Sequence, residues 1–88
     1  MALLECDPDE LDQGAHALRR SRDALVSEAK NLRSAVGKMG RFRGREADRF
    51  RLEMEGLARA ITKRADELGK QADSLRSFAE DVRQLRRS

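Results

Sequence analysis

The 88 residues predict an all-α protein, an antiparallel two-helix hairpin in a single domain over 1–88. Three observations carry that expectation. Charged residues make up 40 % of the chain and aromatics 3 %, with no Trp and no Tyr, a profile of long helices and coiled coils more than of sheets. Apolar residues recur at seven-residue spacing in two blocks. Between the blocks, the eight residues 37–44 hold three glycines, a poor helix interior and a good turn.

Helix one is expected over 8–36. Asp7 suits the N-cap, Pro8 the first helical position, and Glu10 stands where a capping-box residue can reach back to the cap. Asp9 and Asp12 place negative charge in the first turn, which the helix dipole favours. Leu11, Leu18, Leu25 and Leu32 then form a heptad row, with Ala15, Ala29 and Val36 four places after three of them. Arg22 interrupts this seam, which points to a seam edge or a partly wet contact. Gly37 is placed to end the helix as its C-terminal cap residue.

Helix two is expected over 45–86. Met54, Ile61, Leu68, Leu75 and Val82 make one strict row, and Phe50, Leu57, Phe78 and Leu85 a second, in which Arg64 and Gln71 are polar. Ala58, Ala65, Ala72 and Ala79 make a third. The combined stripe is wider than a two-helix seam needs, so the large residues of the first two rows form a candidate partner interface, with a neighbour at short distance along the alanines. Completion as a four-helix bundle by dimerisation follows as an expectation.

Helix lengths of roughly 45 Å and roughly 60 Å predict an overhang, with Leu75, Phe78, Val82 and Leu85 projecting past the start of helix one. Either Ala2, Leu3 and Leu4 fold back over them or another chain covers them. A chain this short buries only roughly 60 % of its unfolded surface, so small proteins add disulfides, a metal or a partner. Cys6 is the sole cysteine and forbids an intrachain bridge; it serves as a small apolar residue or as a link between chains. His16 has no second ligand at zinc spacing, so no metal and no cofactor is expected. Nor do Ser, Cys and His converge as an active site needs, and the expectation is a protein that is not an enzyme. A protein partner remains.

At the turn, Phe42-Arg43-Gly44 brings in a resemblance. The chain resembles the Trp-x-Gly, ESAT-like family of small helical hairpins linked to type VII secretion. Phe42 stands where the family has Trp, Gly44 matches its Gly, Ala47 a small position and Phe50 a downstream aromatic. The likeness covers nearly the whole chain in length and pattern, but its specific part is only the stretch 42–50. It implies a hairpin that pairs as a homo- or heterodimer, made in the cytoplasm and exported with, or escorting, a larger effector. The family's export signal, Tyr-x-x-x-Asp/Glu after helix two, is missing: Phe78 is followed four residues later by Val82. Either a partner supplies the signal, or the protein stays inside as an escort. A glycine-flanked aromatic also serves more plainly to turn a hairpin and plug its end with a ring.

Charge is uneven. Residues 1–12 hold five acids and no base, whereas the turn is basic, with Arg41, Arg43 and Arg45 forming a candidate basic tip beside Lys38, Arg49 and Arg51. Such a tip suits phosphate, acidic lipid or an acidic protein surface. This supports a second reading, a basic coiled-coil regulatory or nucleic-acid-associated protein, although few aromatics are present to stack on bases. No apolar run approaches a membrane span, and Met1 to Cys6 lacks the basic flank and length of a signal peptide, so any export is expected to proceed without a cleavable leader.

Overall fold

The computed structural model describes residues 5–88, so the expected fold-back of Ala2, Leu3 and Leu4 lies outside the described residues. Two helices, α1 (Pro8–Gly37) and α2 (Arg45–Arg87), run antiparallel as a hairpin. Among the described residues there is no strand, and no helix is long and apolar enough to cross a membrane.

The start of α1 follows from its sequence. Asp7 is extended, at φ −86° and ψ 111°, and its Oδ1 accepts the Asp9 N–H at 2.9 Å while Pro8 occupies the first turn. The end of α1 departs from expectation. Gly37 is the last helical residue and has no positive φ; the cap is Lys38, at φ −71° and ψ −13°. The chain leaves in tight turns instead, Lys38 N–H donating to Ser34 O at 3.1 Å and Met39 N–H to Val36 O at 3.0 Å. The glycine that matters is Gly44, at φ 118° and ψ 171°. A side chain there is strained, and Gly44 caps α2 with its carbonyl, which accepts from Asp48 N–H at 3.0 Å.

Alanine lines the seam between the helices. Ala58, Ala65, Ala72 and Ala79 are 0–1 % exposed, and Ala15 and Ala29 of α1 are 2 % exposed. Small side chains let two backbones approach closely, whereas the leucine row of α1 lies half-buried beside the seam. A straight helix drifts by roughly 20° per heptad, so alanines that stay buried at strict seven-residue spacing require the two helices to coil left-handedly.

The register is the main correction. Arg83 pairs with Asp12 at 2.6 Å and Asp9 at 3.0 Å, Arg86 donates to Cys6 O at 2.6 Å, and a methyl on Gly14 would touch Leu75 Cδ1 at 3.4 Å. The far end of α2 is therefore level with the start of α1, and no overhang exists there. The extra length lies at the turn: Arg33 of α1 meets Glu55, so the first turns of α2 project past Gly37. The loop 38–44 runs beside them, held by Arg51, whose Nη2 donates to Met39 O at 2.7 Å and to Phe42 O, while Nη1 pairs with Asp48 at 3.0 Å. The longest dimension, 66 Å, matches the roughly 64 Å of a 43-residue helix.

Candidate protein-interaction face

The seam divides the hairpin into two unlike edges. Along one, α1 presents Leu18, Leu25 and Leu32, one residue before the positions that carry Arg19, Val26 and Arg33 on the other. Arg19–Asp73 at 3.3 Å and Arg33–Glu55 at 3.4 Å bridge the helices on that polar edge. These exposed pairs contribute at most about 1 kcal/mol each, and they orient the helices more than they hold them.

The leucine edge opens into an apolar face. A hollow of about 500 Å³ is lined by Leu18, Leu75 and Phe78 with Gln71, Ser74 and Lys70. A second, of about 390 Å³, is lined by Leu32, Leu57 and Ile61 with Glu28 and Asn31. Of the candidate interface residues, Phe50 (40 %), Leu57 (47 %) and Phe78 (37 %) are exposed, as is Leu85 at 45 %. Met54, Ile61 and Leu75 are half-buried at the rim of the seam. Leu68 and Val82 are buried within the chain itself, so they contribute to the hairpin and not to its open surface. Leu18 and Leu32, read from the sequence as seam residues, belong to this face because alanine occupies the closest approach.

The turn motif and the basic tip occupy the opposite end of the rod from the Arg83 pairs. The Phe42 ring does not plug the hairpin; it is 65 % exposed. Arg41, Arg43 and Arg45 are exposed beside it, and with Lys38 they form no ion pair with any described residue. Arg51, which organises this end, was not singled out by sequence reasoning. Its signal was present: it stands one heptad before Ala58, a cation at a seam position where α1 has already ended.

Outside these surfaces the chemistry is sparse. His16 is exposed beside Asp12, Arg19 and Arg76 in a polar hollow of about 180 Å³. Among the described residues no group of three His, Cys, Asp or Glu side chains is placed to hold a metal ion. Cys6 is half-buried.

No protein-family model matches the chain, and neither a curated protein nor a solved structure matches it.

Proposed function

We propose that this chain is a non-enzymatic helical pairing module that acts as half of a four-helix bundle, in the manner that its resemblance to the Trp-x-Gly secretion proteins implies. The observation that carries this reading is the apolar face along the leucine edge. Phe50, Leu57, Phe78 and Leu85 are each more than a third exposed along one helix, and Leu18 and Leu32 extend the face onto the other. Exposed apolar patches of this kind mark an interaction site, and their removal from water contributes about 25 cal/mol per Å². The partner is a protein, a second copy or a different chain, exported with this one or escorted by it.

The test is light scattering of the purified chain, alone and co-expressed with the products of its neighbouring genes. A stable complex in either preparation is expected. A well-folded monomer at micromolar concentration in both overturns the reading.

A second reading is favoured by one observation, the four unpaired cations Lys38, Arg41, Arg43 and Arg45 around exposed Phe42. They suit a nucleic-acid backbone. Gel shift at moderate salt tests it: no retardation of duplex or single strands at micromolar protein removes it.

A further inference from the structure

Cross-helix contacts on the polar edge share one register. Arg86 donates to the Cys6 carbonyl, Arg83 donates to Asp9, and Arg19 pairs with Asp73. Each step forward on α1 among these pairs is matched by an equal step back on α2. By that register the residue across from Arg76 is His16, and the two line one hollow together with Asp12, Ala15 and Arg19. This rung is unlike its neighbours. On either side of it an arginine meets a carboxylate, whereas here a guanidinium meets an imidazole. Neither side chain has an ion pair or hydrogen bond among the described residues.

The nearby acids are already engaged. Asp73 and Glu80 stand one turn from Arg76 on α2; Asp73 pairs with Arg19 at 3.3 Å, and Glu80 with Arg83 at 3.5 Å and Arg87 at 3.7 Å. Asp12, which also lines the hollow, accepts from Arg83 at 2.6 Å. Two guanidiniums against one carboxylate leave the lining net positive. Its volume of about 180 Å³ decides the size of what it takes. That is below the roughly 300 Å³ at which pockets for organic ligands begin, and far above the roughly 15 Å³ that one water needs. A small oxyanion fits the interval. A carboxylate has two oxygens, which one guanidinium fork satisfies alone. A phosphate group has at least three, enough for Arg76 from α2 and for Arg19 and His16 from α1 at once. Arg19 has donors to spare, since only its Nη2 is bonded, to the exposed Asp73.

We propose that the hollow between His16 and Arg76 is a binding site for a phosphate group, free or as a monoester, gripped between the two helices. The bound group stands where the other rungs have a carboxylate. Because its donors come from both helices, it binds the closed hairpin and not the open chain, and so stabilises closure by mass action. The site lies on the polar edge, apart from the leucine face, and stays open whether or not a partner covers that face.

Titration of the isotope-labelled full chain, followed by NMR at fixed pH and ionic strength, tests the site. The probes are inorganic phosphate, glycerol 3-phosphate and acetate, each exchanged against chloride. The expected result is a saturable shift of the His16 and Arg76 resonances, with a Kd on the order of 1 mM, in the parent and in an Arg59→Gln control. Arg76→Gln removes no ion pair of the folded chain, and it is expected to keep the helical circular dichroism while weakening saturation at least about tenfold. Saturation by inorganic phosphate alone assigns the free ion, and saturation by both phosphate probes assigns the monoester. Shifts that stay linear in phosphate, that persist unchanged in Arg76→Gln, or that saturate at Arg41 and Arg43 in place of His16 overturn the site. Acetate binding as tightly as phosphate overturns the choice of a tetrahedral anion.

Discussion

Gly69 of α2 lies beneath the side chain of Arg22 on α1: a methyl in place of the Gly69 hydrogen would stand 3.3 Å from Arg22 Cδ and 3.7 Å from Nη1. The cation that breaks the alanine seam of α1 is thus seated over a glycine that gives it room, and its head reaches Asp23 at 3.0 Å. Alanine in a helix interior is favoured over glycine by about 1 kcal/mol. Gly69→Ala realises that gain only by displacing Arg22. In urea unfolding, Gly69→Ala is expected to stabilise an Arg22→Ala background by about 1 kcal/mol and the parent by clearly less, the difference measuring the contact. Equal gains in both backgrounds would show that the two residues do not interact.

Gly56 is the control for that experiment. No atom beyond its own helix backbone lies within 4 Å of a methyl placed there. Gly56→Ala is expected to raise stability by the full propensity difference, about 1 kcal/mol. Thermal unfolding that moves down instead of up would mean that this surface is covered.

Two of the three turn glycines, Gly37 and Gly44, part company. Gly44 sits at φ 118° and ψ 171°, where a side chain costs about 1 to 3 kcal/mol, so Gly44→Ala destabilises by that amount. Gly37 is helical with open space around it, and Gly37→Ala is neutral or stabilising by up to about 1 kcal/mol. Denaturant midpoints in the reverse order would overturn the assignment of Gly44 as the residue on which the turn depends.

Arg51 ties the loop to α2 through the Met39 and Phe42 carbonyls. Arg51→Met keeps the apolar stem and removes the donors, which for bonds to a charged group is expected to cost about 1.5 to 3 kcal/mol. Hydrogen exchange locates the effect: amides of residues 38–44 lose protection while those of the alanine seam keep theirs. Uniform loss along the chain would instead make Arg51 a general packing residue.

At the other end, Arg83 donates to Asp12 and Asp9, and these bonds, that to Asp12 foremost, raise its pKa above the usual arginine value. A raised folded pKa gives stability that is complete below the unfolded value and is lost only as pH climbs through the folded one. For arginine both lie above the ordinary working range. The loss of stability in Arg83→Gln is therefore expected to stay constant from about pH 7 to about pH 10 and to shrink with added salt. Thermal scans showing a loss that varies over this window would assign the contact to another titrating group.

Helix existence, the Asp7 cap that begins α1, and the position of the turn were legible in the sequence, because Asp7-Pro8, the heptad rows and the glycines each act locally. Which row forms the seam was harder to read. Leucine is the more hydrophobic choice, yet Ala58, Ala65, Ala72 and Ala79 take the closest approach, since two backbones near contact have no room for larger groups. Register was not legible. It depends on how far the loop runs back along α2 before the helices meet; Arg51 holds that loop through Met39 and Phe42, and its heptad position does not name those two carbonyls as its partners. The open face was read in its α2 part, at Phe50, Leu57 and Phe78. Its α1 part, Leu18 and Leu32, was missed because those residues were assigned to the seam.

The alanine seam has a thermodynamic consequence. A helix pair whose fully buried side chains are mostly alanines, with Leu68 and Val82 the larger exceptions among the described residues, removes less apolar area from water than a leucine seam would, so the closed hairpin has a small intrinsic margin over the open chain. Any molecule that binds the folded face and not the unfolded chain adds to that margin by mass action, in proportion to the logarithm of its concentration. The folded fraction of this chain is then governed by how much of the covering molecule surrounds it, and its melting temperature becomes a property of the mixture.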